Sequence, residues 1–486
     1  MFFYPTFGMP TAQNPFFMKN SLLIIALFMF TATGCFAQAS LWAAATTGGT
    51  NGYGTILKGD STGHNFTVVH NFAKTDSSNP DGSFPVGKMA VANNGVIYFV
   101  TELGGVADSC TICKFDPATN TFTMIYQFYA NFYAGGVPTA GIIKGSDGLL
   151  YGATPNGGTL GSSGAGVIYS VDPATDTYTD LYNFSGTGTG PNSELLQASD
   201  GNFYGIVGQC TDSASSALLF SFNASTRQYT TLYNFNVSNV NYFQRAPALV
   251  QAPNGKIYGV YASAPYIGAL NGPGMLFSYD IANNHFTDLH DFTNVEGLPQ
   301  GGLVINNGNI YGETAGDSTH TIGQIYSYNI PNSLYHALAP LDSAIGVTPV
   351  GGLGMLGDEL MGSFLAGGLY NNGSLFTFNL TSNTFTKLLD FDSPFTGAGP
   401  MCDILKYDFT TTGIAPVTET PIALYPNPAN NMLYIQNAEP NTPYTITNVL
   451  GQVISHGTIS GSLQPINISQ LAAGTYLINN TRFVKE

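Results

Sequence analysis

Charged residues are scarce in this 486-residue chain, at 9% of it, against about 25% in typical soluble domains. Basic residues are scarcest: Lys and Arg number 13 and leave a formal net charge of −16. A surface that bound nucleic-acid backbone or an anionic membrane would carry the opposite sign, so both partners are disfavoured. Long apolar runs are missing too. The longest, Leu22–Phe30, is too short to span a bilayer comfortably, so no transmembrane segment is expected in the mature chain. Sustained helical periodicity is absent. So are HExxH, GxSxG, a phosphate-binding glycine loop and an EF-hand, and no cofactor is implied.

What is plentiful is Gly (58), Phe (33) and Tyr (28), arranged in short apolar runs. Aromatic enrichment with Gly, Asn and Asp punctuation indicates an all-β protein. The N-terminal segment from Met18 has one Lys, an apolar stretch and Ala37-Gln38-Ala39. It reads as a secretory signal over residues 1–39, starting at Met18 and cleaved after Ala39. Cys35 raises a lipoprotein alternative, although Ala32 stands where Leu is usual. Of the remaining cysteines, Cys110 and Cys113 are spaced like half of a zinc knuckle with no second half. In an exported protein a local disulfide fits them better than a metal, with free thiols as the remaining state.

One octet recurs seven times, as in "NFTVVHNF" (65–72), "TYTDLYNF" (177–184), "QYTTLYNF" (228–235) and "TFTKLLDF" (384–391). Its mean period of about 53 residues, built of short strands, is the signature of propeller blades. Each unit parses into four strands, with the octet as the last. The first two are joined by a two-residue turn such as Asp200-Gly201. The first unit begins at Leu41, on what reads as a second strand, and Gly399–Asp408 aligns with a first strand. The expected architecture is therefore a seven-bladed β-propeller over residues 40–408, its first blade closed by a C-terminal strand. A linker (409–420) and a small C-terminal β-sandwich (421–486) follow.

The phrases "DGLLYGATPNGG" and "NGKIYGV", each followed by "VIYS" or "LFSY", resemble the tandem GloVer repeat of secreted bacterial proteins. The resemblance implies a propeller and no particular reaction. The tail strings "LYPNPANNMLYI", "YTITNVLGQVI" and "INISQLAAGTYLI" are similar to the type A C-terminal sorting domain of type IX secretion cargo. That resemblance implies a partner in the type IX machinery and a protein that is released or attached to the outer cell surface.

The longer connections emerge on one face and are where binding residues are expected. They carry Tyr129, Tyr133, Tyr242, Phe243, Arg245, Tyr261, Tyr266 and Tyr370, with Asn131, Gln244 and Asn371 nearby. Such rings either stack on an extracellular glycan or protein, or pack between neighbouring blades. For catalysis, the acid and base candidates are Glu313, Asp317 and His320, read as the loop of blade six, "GETAGDSTH". Solvated loop residues are the plainer account of that cluster. Glu102 and Glu194 read as rim residues, and His70, His290 and His336 as structural. Three functions remain: a binding module, a carbohydrate-active enzyme, or a structural surface protein.

Overall fold

The structure is a computed structural model. It describes residues 39–73, 81–104, 110–128, 141–155, 158, 166–184, 190–191, 193–207, 217–235, 248–262, 274–316, 323–408, 423–436, 443–448, 452–461, 463–478 and 481–486. The chain divides into two compact units, Met1–Phe409 and Thr410–Glu486.

Every element among the described residues is a strand, and those of the first unit make seven antiparallel sheets. Sheet two runs Gly82–Val91, Ile97–Gly104, Thr111–Asp116, Thr121–Gln127 in chain order, and sheets three to six repeat that up-and-down pattern. Sheet seven has a broken first strand, Val347–Pro349 and Gly354–Leu356, against Glu359–Ala366. Sheet one is assembled from both ends of the unit. Leu405–Tyr407 pairs with Ser40–Ala45, with Leu405 opposite Trp42 and Tyr407 opposite Ser40.

The repeated phrase of the inner hairpins has a physical cause. Second strands such as Leu150–Thr154 and Phe203–Val207 are buried along their whole length, because sheets lie against both faces. They therefore read as continuous apolar runs rather than alternating ones. The glycine after the tyrosine makes room for an aromatic ring from the third strand. A Cβ on Gly152 would lie 2.2 Å from the Tyr169 hydroxyl, and one on Gly259 would lie 2.4 Å from the Phe277 ring. These are direct register partners, Tyr169 with Gly152 and Phe277 with Gly259.

The turn before that strand differs from the expectation. Gly201 N–H donates to Ala198 O, and Ala198 N–H donates to Asn202 O. The loop Ser199-Asp200-Gly201 therefore has three residues, a type I turn completed by Gly201 at φ +82°. The two-residue turn occurs in sheet six, where Asn306 opposes Asn309 around Asn307-Gly308.

The octets form the fourth strands, and each carries a bulge at the same place. In sheet three Ile168 faces Tyr182 while Tyr169 faces Asp180, which leaves Leu181 unpaired. The same shift occurs in the other six sheets. The bulge puts the sixth octet residue beside the next sheet. There it stacks on that sheet's second octet residue, in five successive junctions: His70 on Phe122, Tyr126 on Tyr178, Tyr182 on Tyr229, Tyr233 on Phe286 and His290 on Tyr335. The closest is Tyr233 on Phe286, with centroids 3.6 Å apart and 1° between planes. The closing Phe of the octet meets both rings edge-on, as Phe292 does with His290 and Tyr335. Such pairs contribute about 0.5–1.5 kcal/mol each beyond burial.

Apolar clusters straddle each consecutive pair of sheets. Trp42 and Phe72 of sheet one pack with Phe99 and Phe115 of sheet two. Met361, Leu375 and Phe391 of sheet seven pack with Leu41 and Leu57 of sheet one. In the second unit, two sheets share a core of Leu433, Ile435, Ile446, Ile466, Ile478 and Phe483.

Candidate functional site

The first strands lie at one end of each sheet order, and one position on them stands out. In every sheet one first-strand residue pairs with the bulky residue that opens the second-strand motif. Examples are Ala90 opposite Tyr98, Leu196 opposite Tyr204 and Leu405 opposite Trp42. Two places earlier come Asp403, Lys88, Gly141, Glu194, Ala248, Gly302 and Gly352, for sheets one to seven in order. Four of the seven are Gly or Ala. The other three are charged, in a chain where charge is rare.

The small residues allow the first strands to meet. Gly87 forms a parallel bridge with Cys402, and Lys88 forms one with Gly141. A Cβ on Gly141 would sit 2.0 Å from Lys88 N, and one on Gly302 would sit 2.6 Å from the Gly352 Cα. Gly352 N–H donates to Asp403 Oδ1 at 2.5 Å. At this level Lys88 Nζ reaches Glu194 Oε2 at 3.4 Å, from sheet two to sheet four.

Lys88 is 46% exposed and Glu194 22%. Glu194, with Asp403 adding, holds the Lys88 ammonium above its ordinary range. Burial pushes the Glu194 carboxyl upward, Lys88 opposes the shift and Asp403 reinforces it. One ammonium thus sits among two carboxylates, a group rich in acceptors with a single strong donor. It can hold hydroxyl or amine donors, while its excess of negative charge disfavours anions.

Glu313 is not a loop residue. It lies on the second strand of sheet six, Asn309–Ala315, opposite Gln300 and Ile325. The Gly, Thr and Ala around it pair with Gly323–Asn329 and continue the strand. Its side chain is fully buried, at 0% exposure, and among the described residues neither carboxyl oxygen has a hydrogen-bond partner. Burial alone pushes its carboxyl well above the ordinary glutamate range. A group with no exposed surface does not reach a sugar, so the geometry gives no support to Glu313 as an acid or base there.

Of the other residues singled out in the sequence, Asp317, His320, Tyr129, Tyr133, Tyr242, Phe243, Arg245, Tyr266 and Ala37 lie outside the described residues. Ala39 is the first residue described. Tyr370 is exposed at 52%, beside Leu369 at 69%, in the connection before the strand Ser374–Asn379. Asn371 is engaged in that connection, accepting from Gly367 N–H at 3.1 Å. Tyr261 is buried and stacks on Phe235 at 4.7 Å, which makes it a packing residue.

The disulfide expected between Cys110 and Cys113 is not formed, and both are buried thiols. Extended backbone is the reason. Three residues of strand span about 10 Å and place the two side chains on opposite faces, beyond disulfide reach. Cys110 Sγ donates instead to Glu102 O at 3.1 Å, and Cys113 Sγ pairs with the Thr111 hydroxyl. Burial pushes both thiols up to about 12.

Lys88 and Asp403 were not apparent from the sequence, and Glu194 read only as a rim residue. A usable signal existed, because aligning the units on their inner turns brings the three to one position.

A profile of the Gloeobacter/Verrucomicrobia repeat matches residues 85–304 and 266–414. A profile of the secretion system C-terminal sorting domain matches residues 423–483. No curated protein matches the chain. Among solved structures, the periplasmic gluconolactonase of Pseudomonas aeruginosa is 14% identical, covers 76% of this chain and 99% of its own, and has a TM-score of 0.50. A Bacteroides uniformis protein, provisionally named a 6-phosphogluconolactonase, is 13% identical over 76% of this chain and 99% of that one, at 0.48. PorZ, a surface component of the type-IX secretion system of Porphyromonas gingivalis, is 14% identical over 92% of this chain and 58% of that one, at 0.37. The gluconolactonase likeness is one of fold. The sorting domain marks the protein as secreted or attached to the cell surface.

Proposed function

The chain belongs to the Gloeobacter/Verrucomicrobia repeat family, and from that premise we propose that residues 40–408 form a closed seven-bladed propeller acting as an extracellular binding module. Closure is supported by the pairing of Leu405–Tyr407 with Ser40–Ala45 and by the cluster joining sheets seven and one. The segment 1–39 is its leader, cleaved after Ala39, residues 409–420 are a linker, and 421–486 is the handle read by the type IX machinery.

The ligand sits at the end of the first strands where Lys88, Glu194 and Asp403 converge. That convergence carries the reading: three sheets each place a charge at one equivalent position, while the other four place Gly or Ala there. Two carboxylates and one ammonium suit a hydroxyl-rich neutral ligand, so an extracellular glycan is the favoured class. Tyr370 and the aromatic loop residues Tyr129, Tyr133, Tyr242, Phe243 and Tyr266, with Arg245, are candidates for flanking contacts.

A glycan array probed with the full chain and with Asp403→Asn tests this. Binding by the parent that falls at least tenfold in the variant is expected. A parent that binds no glycan, or an unchanged variant, overturns the assignment. A reducing-sugar assay on any array hit separates binding from hydrolysis. Turnover of an array hit by the parent would replace the module with an enzyme.

A further inference from the structure

Glu313 poses a problem that the axial charges do not solve. A carboxyl buried without a hydrogen bond is among the most costly groups a protein can contain. In the six other sheets its equivalent, by register and motif, is Ala44, Val100, Ala153, Ile206, Val260 or Ser363, none of them ionisable. Sheet six therefore departs from the repeat at a core position where an apolar residue would fit.

Its surroundings supply more oxygen, and with it the Tyr326 hydroxyl, which feels the Glu313 charge and is itself buried without a hydrogen-bond partner among the described residues. Gln300 is its direct register partner, so the two side chains share a face of the sheet. Gln300 Oε1 is also buried without a hydrogen-bond partner among the described residues. The backbone of sheet seven adds a third oxygen. Gly351 O and Glu313 Oε2 both lie 3.0 Å from the point where a Cβ on Gly301 would sit. Gly301, at φ +72°, keeps that space clear of a side chain. The first strand is also interrupted here, with its register shifting between Gln300 and Val304. One carboxylate and one carbonyl thus meet at the junction of sheets six and seven, with the Gln300 amide on the same face of the sheet.

Among the described residues, no three His, Cys, Asp or Glu side chains cluster as metal ligands, so a nitrogen or sulfur site for a transition metal is not built here. A set of oxygens that mixes carboxylate, side-chain amide and backbone carbonyl is instead what a hard cation takes. We propose that Glu313, Gln300 and the Gly351 carbonyl bind a calcium-type divalent cation that ties sheet six to sheet seven. The site lies close to the axial charges, since Gly352 N–H is the group that holds Asp403. Glu313 then has a counter-charge, and the cation fixes the Gly351-Gly352 segment that positions Asp403.

The test uses the full chain, stripped with EDTA and returned to CaCl2, with MgCl2 as a second arm. The parent is expected to retain about one calcium ion per chain after desalting, by elemental analysis, and to melt at a higher temperature in CaCl2 than in EDTA. Glu313→Gln keeps the shape and removes the charge, so it is expected to lose both the ion and the thermal response. Gln300→Met, which keeps the length and removes the oxygen, is expected to weaken calcium binding about tenfold. It also serves if Glu313→Gln does not fold. A parent that ignores CaCl2, or responds only to MgCl2, overturns the proposal. So does either variant binding calcium as the parent does. An infrared band of a protonated carboxyl that persists in CaCl2 and vanishes in Glu313→Gln also overturns it, because Glu313 would then be a neutral acid.

Discussion

In the fourth strands of sheets one to five, the ring six places into each octet stacks on the ring two places into the next. In the first strands, by contrast, one equivalent level holds Asp403, Lys88, Gly141, Glu194, Ala248, Gly302 and Gly352. The fourth strands solve the same packing problem at five successive junctions, so their sequence repeats there. The first strands need only be small enough at this level to approach one another. That condition is met by Gly or Ala at four positions, which leaves the others available for charge. Repetition here marks scaffold, and the proposed ligand site rests on charged departures from it in the first strands. Sheets six and seven show where the outer rule lapses: Ala339 and Leu389 stand in the sixth octet place, and the aromatic stack is not repeated.

The largest break in this comparison should come from the closing octet phenylalanine. Phe292 is fully buried and meets His290, Tyr326 and Tyr335. Phe292→Ala is expected to cost about 3–5 kcal/mol, read from urea unfolding. A cost under about 1 kcal/mol would mean that the outer strands are not the main scaffold. The stack itself is a smaller share. A double-mutant cycle with Tyr233→Leu and Phe286→Leu should give a coupling of about 0.5–1.5 kcal/mol.

The axial charges should behave in the opposite way. Lys88→Met is expected to change stability by no more than about 1 kcal/mol, because the pair is partly exposed, yet to remove ligand binding. The smallest effect is a slope. The folded-state affinity of Glu194 for a proton is raised by burial and Asp403. Upward from its ordinary value of about 4.5, the folded state therefore holds more proton than the unfolded one. Stability from this group falls as pH rises through that window. Glu194→Gln should flatten the fall in unfolding free energy between pH 5 and 8. A steeper fall in the variant would reverse the assigned sign.

Much of the scaffold was legible in the sequence. The octets, the inner hairpins and the all-β character follow from aromatic spacing and Gly-Asn-Asp punctuation, which are local signals. The pairing of Leu405 with Trp42 was legible because the first unit lacks its own first strand. Three features were not. Asp200-Gly201 looks like a two-residue turn, since only the hydrogen bond to Ala198 O reveals the third loop residue. Glu313 looks like a loop residue because Gly, Thr and Ala surround it, while its strand is secured by partners across the sheet. Lys88, Glu194 and Asp403 lie far apart in the chain, each flanked by uncharged residues. Nothing local relates them until the units are aligned on their turns. The loop aromatics, by comparison, drew attention through composition alone, and Tyr261 shows that such a residue can belong to the packing.

The measurement that bears most directly on the contrast between scaffold and axis compares two variants on one glycan array, with melting recorded alongside. Tyr233→Leu alters the outer stack, and Lys88→Met alters the axial charges. The expected result is that Tyr233→Leu melts earlier than the parent and keeps its binding, whereas Lys88→Met melts like the parent and loses it. Binding retained by Lys88→Met, or lost equally by both variants, would contradict an axial site carried on an outer scaffold.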